Sequence, residues 1–131
     1  MNNRRSFIVG LKSTEISSQE QLFLRKYKPW GIILFTRNIK NLNQTKKLTS
    51  KIRNIFNDKK YPIMIDQEGG RIHRLKYSDE YILYPASLFG RIYETNKTDA
   101  LEALGLQCNI IANELNEIGI NVITSPVLDI K

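Results

Sequence analysis

Residues 61–75 read YPIMIDQEGGRIHRL, a short apolar run that ends in the carboxylate of Asp66. Residues 63–65 are apolar throughout instead of alternating with polar residues, which is typical of a strand in a parallel sheet that is covered on both faces. In such folds, the loops that follow the strands hold the ligand. We interpret the stretch as a buried strand that brings charged groups to the rim of a pocket.

Apolar runs alternate with amphipathic segments along the rest of the chain. Further strands are predicted at residues 7–10, at 31–35 and from 121 to 128, where Pro126 interrupts the last run. The predicted order is β-α-β-α-β, a long loop, then α-β. This order favours a parallel α/β sheet, either an open doubly wound sheet or the first half of a (β/α)8 barrel.

Capping residues mark the first two predicted helices. Ser17 and Glu20 form a capping box. The helix behind them is expected to end near Lys28, because Pro29 disfavours helical geometry in the residue before it. Asn43 is expected to cap the second helix.

A long helix is predicted near the end of the chain. Asp99 and Glu102 form a cap-like pair at its start, and Gly119 suits the position just after it. Residues 67–96 are expected to be irregular, and a loop of that length is functional or disordered. One apolar face of the helix carries Leu101, Leu104, Cys108, Ile111, Leu115 and Ile118, with Cys108 as a small core residue.

Composition sets the broad class of the protein. The 131 residues carry 20 Lys and Arg against 13 Asp and Glu, for a net charge of +7. The basic residues are scattered, so we expect a solvated surface and no nucleic-acid partner. Cys108 is the only cysteine, which excludes an internal disulfide. No apolar run reaches the length of a membrane span or of a signal peptide, and we expect a cytoplasmic protein without a membrane partner.

Asp66 is the leading candidate for a binding residue. A carboxylate at the end of a strand can accept hydrogen bonds from ligand hydroxyls. It can also cap the following turn or pair with Arg71 or Arg74. Glu68 lies two residues further on, but the glycines after it favour a turn, so a catalytic carboxyl pair with Asp66 is disfavoured.

Basic residues surround these acids. Arg71 and Arg74 are spaced so that one can orient the acids while the other reaches a ligand. His73 has no evident Cys, Ser or second His partner in the motif, which argues against an acid–base role.

Two further charged residues follow neighbouring strands. Arg37 is expected to pair with Asp66 or Glu68, or to lie at the rim. Asp129 either faces the same pocket or ends the fourth strand. The chain has no zinc-type Cys/His cluster, no dinucleotide fingerprint and no nucleophile elbow, so we expect no metal and no cofactor.

Taken together, these motifs resemble the N-terminal part of the glycoside hydrolase family 3 barrel, above all its bacterial β-N-acetylhexosaminidase branch. The matching pieces cover nearly the whole chain in the family's order. They are residues 17–20 (SSQE), 31–38 (GIILFTRN), 65–71 (IDQEGGR) with Arg74, 84–86 (YPA) and 126–129 (PVLD).

The resemblance implies a fold, an activity and roles for individual residues. The fold would be a (β/α)8 TIM barrel, and the substrates would be β-linked N-acetylglucosaminides such as peptidoglycan fragments of cell-wall recycling. Asp66 would bind hydroxyls of the terminal sugar, and Arg74 would be a second substrate-binding residue. From their positions in the sequence, Arg37, Glu68, Arg71 and Asp129 are expected to support them. The family reaction retains configuration through a glycosyl-aspartate, with a histidine on a mobile loop as acid/base.

The sequence departs from the family at the groups that break the bond. The Lys-His-Phe-Pro-Gly-His segment that carries the histidine has no match here, nor does the strand with the nucleophilic aspartate. His73 does not align with the catalytic histidine. We therefore expect residues 1–131 to be the N-terminal half of the barrel, truncated, with sugar-binding residues but no catalytic ones.

Several alternatives stay open. The family also contains β-glucosidases, and a non-catalytic sugar-binding or interaction fragment is a further possibility. The expected ligand is an N-acetylglucosamine-containing saccharide or a muropeptide. A half-barrel leaves strand edges uncovered, so self-association or a complementing C-terminal half is also expected.

Overall fold

The computed structural model describes residues 3–75 and 82–126. Strands and helices alternate along them. In chain order they are β1 (Arg5–Gly10), α1 (Ser18–Tyr27), β2 (Pro29–Leu34), α2 (Leu42–Phe56), β3 (Ile63–Ile65), α3 (Ala86–Thr95), α4 (Lys97–Glu117) and β4 (Val122–Ile123), with a 3-10 turn at Thr36–Asn38 after β2.

The four strands form one parallel sheet in the order β1-β2-β3-β4. A doubly wound sheet reverses its strand order part-way, so that helices cover both faces. Here the order never reverses, and right-handed crossovers then place the connecting helices on one face. Accordingly, Leu24 of α1, Ile52 of α2 and Leu115 of α4 share one buried cluster with Ile32 and Ile63 of the sheet. This winding is that of the first half of a (β/α)8 barrel.

The second face of the sheet is the less buried one. Ile33 of β2 pairs in register with Met64 of β3, and Met64 pairs with Val122 of β4, so these three side chains share that face. All three are half-buried. In a closed barrel this face forms the interior.

Two helices begin at residues other than those predicted. Asn41, not Asn43, caps α2, because its side-chain oxygen accepts a hydrogen bond of 2.9 Å from the Gln44 N–H. Asn96, not Asp99, caps α4 by accepting a bond of 3.2 Å from the Asp99 N–H. In both cases the asparagine just before the first turn is the residue whose side chain can satisfy a free N–H of that turn.

Helix α1 confirms both predicted ends. Ser17 and Glu20 form a reciprocal capping box, and Lys28 takes the left-handed C-cap conformation before Pro29.

Burial by itself raises the pKa of Glu20. The backbone N–H groups of Lys12 and Ser17 donate to its carboxylate and outweigh burial, so the pKa lies below its ordinary value of 4.5.

Acid is expected to weaken this end of α1. Because the pKa of Glu20 is lowered on folding, its contribution to stability is complete above the unfolded pKa and is lost as pH falls through the folded pKa. Glu20→Gln keeps a side-chain acceptor but cannot titrate. We expect it to flatten the pH dependence of the unfolding free energy below pH 4.5. Urea unfolding from about pH 3 to pH 7 measures this, and identical slopes for the two proteins would contradict it.

The predicted irregular stretch, residues 67–96, contains helix α3, so that prediction is wrong. Pro85 occupies the N-cap position and makes no side-chain cap hydrogen bond, which leaves the helix without a polar start signal. The described residues between β3 and α3, 66–75 and 82–85, form no helix.

Helix α4 buries only the C-terminal half of its predicted apolar face. Ile111, Leu115 and Ile118 are buried, but Leu101 is 60% exposed and Cys108 is exposed. The prediction that Cys108 is a core residue is therefore wrong, since this half of α4 faces α3 and a cavity instead of the sheet.

No helix in the described ranges has the length and apolar character needed to cross a bilayer.

Candidate functional site

The candidate site lies where β3 and β4 end. Ile65 of β3 pairs with Ile123 of β4, and the backbone N–H of Thr124 donates to the Ile65 oxygen at 3.2 Å, so the pairing continues one residue beyond the strands. Asp66 and Thr124 are therefore neighbours at the carboxyl edge of the sheet. Because side chains alternate along a strand, both lie on the less buried face, with Met64.

Asp66 has a polar partner on each carboxylate oxygen. Arg74 Nη2 lies 3.4 Å from Oδ2, and the Thr124 hydroxyl donates to Oδ1. The side chains of Asp66 and Arg74 remain 25% and 26% exposed, so a ligand can reach both. The structure thus brings together the two residues predicted to bind ligand, and it adds Thr124, which the sequence did not suggest.

Gln67 holds the backbone that carries Arg74. Its side chain is fully buried, and Oε1 accepts a hydrogen bond of 2.8 Å from the Arg74 N–H. Within the described residues, Gln67 Nε2 has no hydrogen-bond partner. Sequence reasoning missed this residue because glutamine is usually exposed, and nothing nearby signals its burial.

A tight turn follows Gln67. The N–H groups of Glu68 and Gly69 both donate to the Ile72 oxygen, at 2.9 and 3.2 Å. Gly69 has a φ of +87°, and a Cβ at this position would lie 2.4 Å from the Tyr84 backbone oxygen. Glycine is the residue that fits. The turn leaves Glu68 half-buried and Arg71 exposed.

Helix α4 fixes the segment against which Gly69 packs. Gln107 Oε1 accepts a hydrogen bond of 2.7 Å from the Tyr84 N–H, and its Nε2 donates to the Tyr84 oxygen at 2.9 Å. Sequence reasoning missed Gln107 as well. Its place between Leu104 and Ile111 on the apolar face of α4 was the available signal, because a buried amide there needs partners.

Arg37 does not reach the acids. Its Nε donates to the Leu11 oxygen at 2.8 Å, and its guanidinium lies 4.6 Å from the centre of the Phe35 ring. Among the residues described, Arg37 makes no ion pair with Asp66 or Glu68, so the pairing expected from the sequence is corrected. The 3-10 turn after β2 directs the side chain towards the loop after β1 instead.

Asn38, next to Arg37, stabilises the loop after β1 by hydrogen bonds. It is fully buried, and its Nδ2 donates to the Leu11 and Ser13 oxygens at 3.0 and 2.8 Å. Its Oδ1 accepts a bond of 2.9 Å from the Phe35 N–H. The matching piece at residues 31–38 therefore ends in a structural amide that joins the loops after β1 and β2.

The remaining candidates are placed as follows. His73 is half-buried beside Arg74, and Asp129 lies outside the described residues.

A cavity of about 600 Å³ opens between α3, α4 and the end of β4. Its walls are mostly apolar and include Glu68, Phe89, Tyr93, Leu104, Ile111 and Ile123.

The pair Asp66 and Arg74 has the chemistry of a hydroxyl-binding site. An ionised carboxylate only accepts hydrogen bonds and a guanidinium only donates them, so together they satisfy a ligand hydroxyl as both donor and acceptor. Each Asp66 oxygen keeps acceptor capacity beside its one partner. In the described ranges, no group of three His, Cys, Asp or Glu side chains is arranged to hold a metal ion.

Comparison with known proteins assigns the family. The model of the glycosyl hydrolase family 3 N terminal domain matches residues 6–131. The chain belongs to glycosyl hydrolase family 3. The resemblance found in the sequence motifs is thereby confirmed.

Curated relatives of this family 3 chain are beta-hexosaminidases. The protein of Xanthomonas campestris pv. campestris is 32% identical over 125 residues, and that of Stenotrophomonas maltophilia is 31% identical over 125 residues. Each match covers 94% of this chain. The chain spans 37% and 36% of the lengths of these two relatives.

Solved structures of family 3 proteins share the fold. NagZ from Neisseria gonorrhoeae in complex with N-trifluoroacetyl-D-glucosamine matches with a TM-score of 0.85 and 30% identity, over 96% of this chain and 37% of that one. A family 3 beta-N-acetylglucosaminidase from Paenibacillus matches with a TM-score of 0.77 and 28% identity, over 95% of this chain and 23% of that one. The half-barrel deduced from the strand order is confirmed.

Proposed function

We propose that Asp66 and Arg74 bind the terminal N-acetylglucosamine of a β-linked saccharide. The complete enzyme would hydrolyse that linkage with retention, through a glycosyl-enzyme intermediate. Peptidoglycan fragments in the cytoplasm are the proposed substrates. The observation that carries the proposal is the partly exposed ion pair of Asp66 with Arg74, which lies at the carboxyl edge of a parallel sheet. Barrels of this kind hold their substrates at that edge.

The comparisons support the sugar class. The curated relatives are beta-hexosaminidases, and the NagZ of Neisseria gonorrhoeae binds N-trifluoroacetyl-D-glucosamine. A carboxylate and a guanidinium alone would bind hydroxyls of many sugars, so the preference for the N-acetyl group rests on these relatives.

Within the complete enzyme, these 131 residues would hold the sugar and other segments would break the bond. A retaining mechanism needs two groups that flank the scissile bond, with carboxyl groups about 5–5.5 Å apart in the carboxylate version. The one histidine of the sequence, His73, does not match the family's histidine-bearing segment. Glu68 is half-buried and turned into the wall of the apolar cavity.

A hydrolysis assay with an aryl β-N-acetylglucosaminide tests whether these residues bind the sugar without breaking the bond. We expect the 131-residue chain to release no aryl alcohol above the buffer blank. Release that disappears in Asp66→Ala would contradict the proposal, because the chain would then contain bond-breaking groups. Release that persists in Asp66→Ala indicates a contaminating enzyme.

Equilibrium binding of N-acetylglucosamine and of glucose tests the sugar class. We expect N-acetylglucosamine to bind more tightly. Tighter binding of glucose would favour a β-glucosidase within the same family. Equal and very weak binding of both sugars would remove the support for a sugar site on this part of the chain.

A further inference from the structure

Thr124 lies beside Asp66 because of the register between β3 and β4. The two residues follow the paired positions Ile65 and Ile123, and the Thr124 N–H bond to the Ile65 oxygen keeps them aligned. They are 58 positions apart in the chain. The sheet therefore brings a hydroxyl to one oxygen of the carboxylate that the proposed function assigns to sugar binding.

The Thr124 hydroxyl has one proton and two acceptors within reach. One is Asp66 Oδ1, with which it is in direct hydrogen-bond contact, and the other is the Ile65 oxygen at 3.4 Å. A carboxylate is the stronger acceptor, and bonds to it are short. The Thr124 hydroxyl therefore donates its proton to Asp66 Oδ1.

Arg74 alone would hold Asp66 loosely. Its Nη2 is 3.4 Å from Oδ2, beyond the roughly 2.7–3.2 Å of a typical N–H···O bond, and both side chains are about one-quarter exposed. Arg74 is also expected to bind the ligand, so its guanidinium is shared between Asp66 and the sugar when the site is occupied. Thr124 sits at the end of a strand and does not depend on the ligand for its place.

We propose that Thr124 is a positioning residue that fixes the Asp66 carboxylate for sugar binding. Its hydroxyl occupies one acceptor position on Oδ1 and prevents the carboxylate from rotating towards Arg74. Both oxygens keep acceptor positions for ligand hydroxyls. The inference rests on the proposed function, because it concerns the same carboxylate.

Two matched variants test the proposal. Thr124→Val keeps the shape of the side chain and removes the hydroxyl, whereas Thr124→Ser keeps the hydroxyl and removes a methyl group. We expect Thr124→Val to bind N-acetylglucosamine about 10-fold more weakly than the wild type. Thr124→Ser is expected to bind within about threefold of the wild type. Thr124→Ala replaces the valine variant if that variant does not fold.

A ligand-free readout separates this inference from the proposed function. The carboxyl carbon of Asp66, observed by NMR in the unliganded chain, is expected to shift in Thr124→Val and to stay near its wild-type position in Thr124→Ser. If both variants bind sugar as the wild type does, the positioning role is wrong. If Thr124→Ser weakens binding and Thr124→Val does not, the methyl packing and not the hydroxyl matters, and the inference also fails. If the wild type binds no sugar but the carboxyl resonance moves as expected, the contact stands and the sugar function falls.

Discussion

Asp66→Ala is expected to weaken binding of N-acetylglucosamine to the chain by about 10- to 100-fold. The variant removes the acceptor for ligand hydroxyls, and hydrogen bonds to a charged group contribute roughly 1.5–3 kcal/mol each. It also leaves Arg74 without its ion-pair partner. A titration with the sugar, followed by backbone NMR shifts, gives both dissociation constants.

Glu117→Ala is the matched control for this loss of charge. Glu117 forms an exposed ion pair of 2.8 Å with Lys46, between α4 and α2 and away from the candidate site. Exposed pairs contribute little to stability, so this variant is expected to fold and to bind sugar as the wild type does. Equal affinity of Asp66→Ala and Glu117→Ala would mean that Asp66 does not contact the sugar.

Gly69→Ala is expected to destabilise the chain by about 3 kcal/mol and to lower Tm by roughly 10 °C. The left-handed φ of +87° is costly for alanine, and the new Cβ would lie 2.4 Å from the Tyr84 oxygen. That oxygen is held by Gln107, so it cannot move away without breaking a partly buried hydrogen bond. Thermal unfolding followed by circular dichroism measures the change.

Gly105→Ala provides the control for a glycine-to-alanine change. Gly105 lies within α4, and a Cβ there would meet nothing within 4 Å. Alanine inside a helix is favoured over glycine by about 0.5–1 kcal/mol, so Tm is expected to rise. A Gly69→Ala protein as stable as the Gly105→Ala protein would show that the turn after β3 is not constrained as described.

The strands and the position of Asp66 could be predicted from local sequence. Continuous apolar runs identified β2 and β3, and a polar residue directly after such a run must lie at the carboxyl edge of a parallel sheet. The capping box at Ser17 is a local signal too, because both of its partners lie within one turn. Helix α3 lacks such a signal, since the side chain of Pro85 at its N-cap forms no hydrogen bond with the first turn.

The contacts that complete the site depend on tertiary structure. The pairing of Asp66 with Thr124 requires the register of β3 with β4, which joins segments almost sixty residues apart. The choice between a doubly wound sheet and a barrel likewise depends on strand order, which the alternation of elements does not specify. Arg37 was assigned to the acids because it follows a neighbouring strand, but the 3-10 turn behind β2 turned it towards Leu11.

A titration of the isotopically labelled chain with N-acetylglucosamine, followed by mapping of the NMR shifts, tests whether the carboxyl edge of β3 and β4 binds this sugar. We predict saturable shifts centred on Asp66, Arg74 and Thr124, with glucose producing weaker ones. Saturable shifts confined to the opposite edge of the sheet, or none at sugar concentrations that approach the solubility limit, would contradict a sugar site at Asp66.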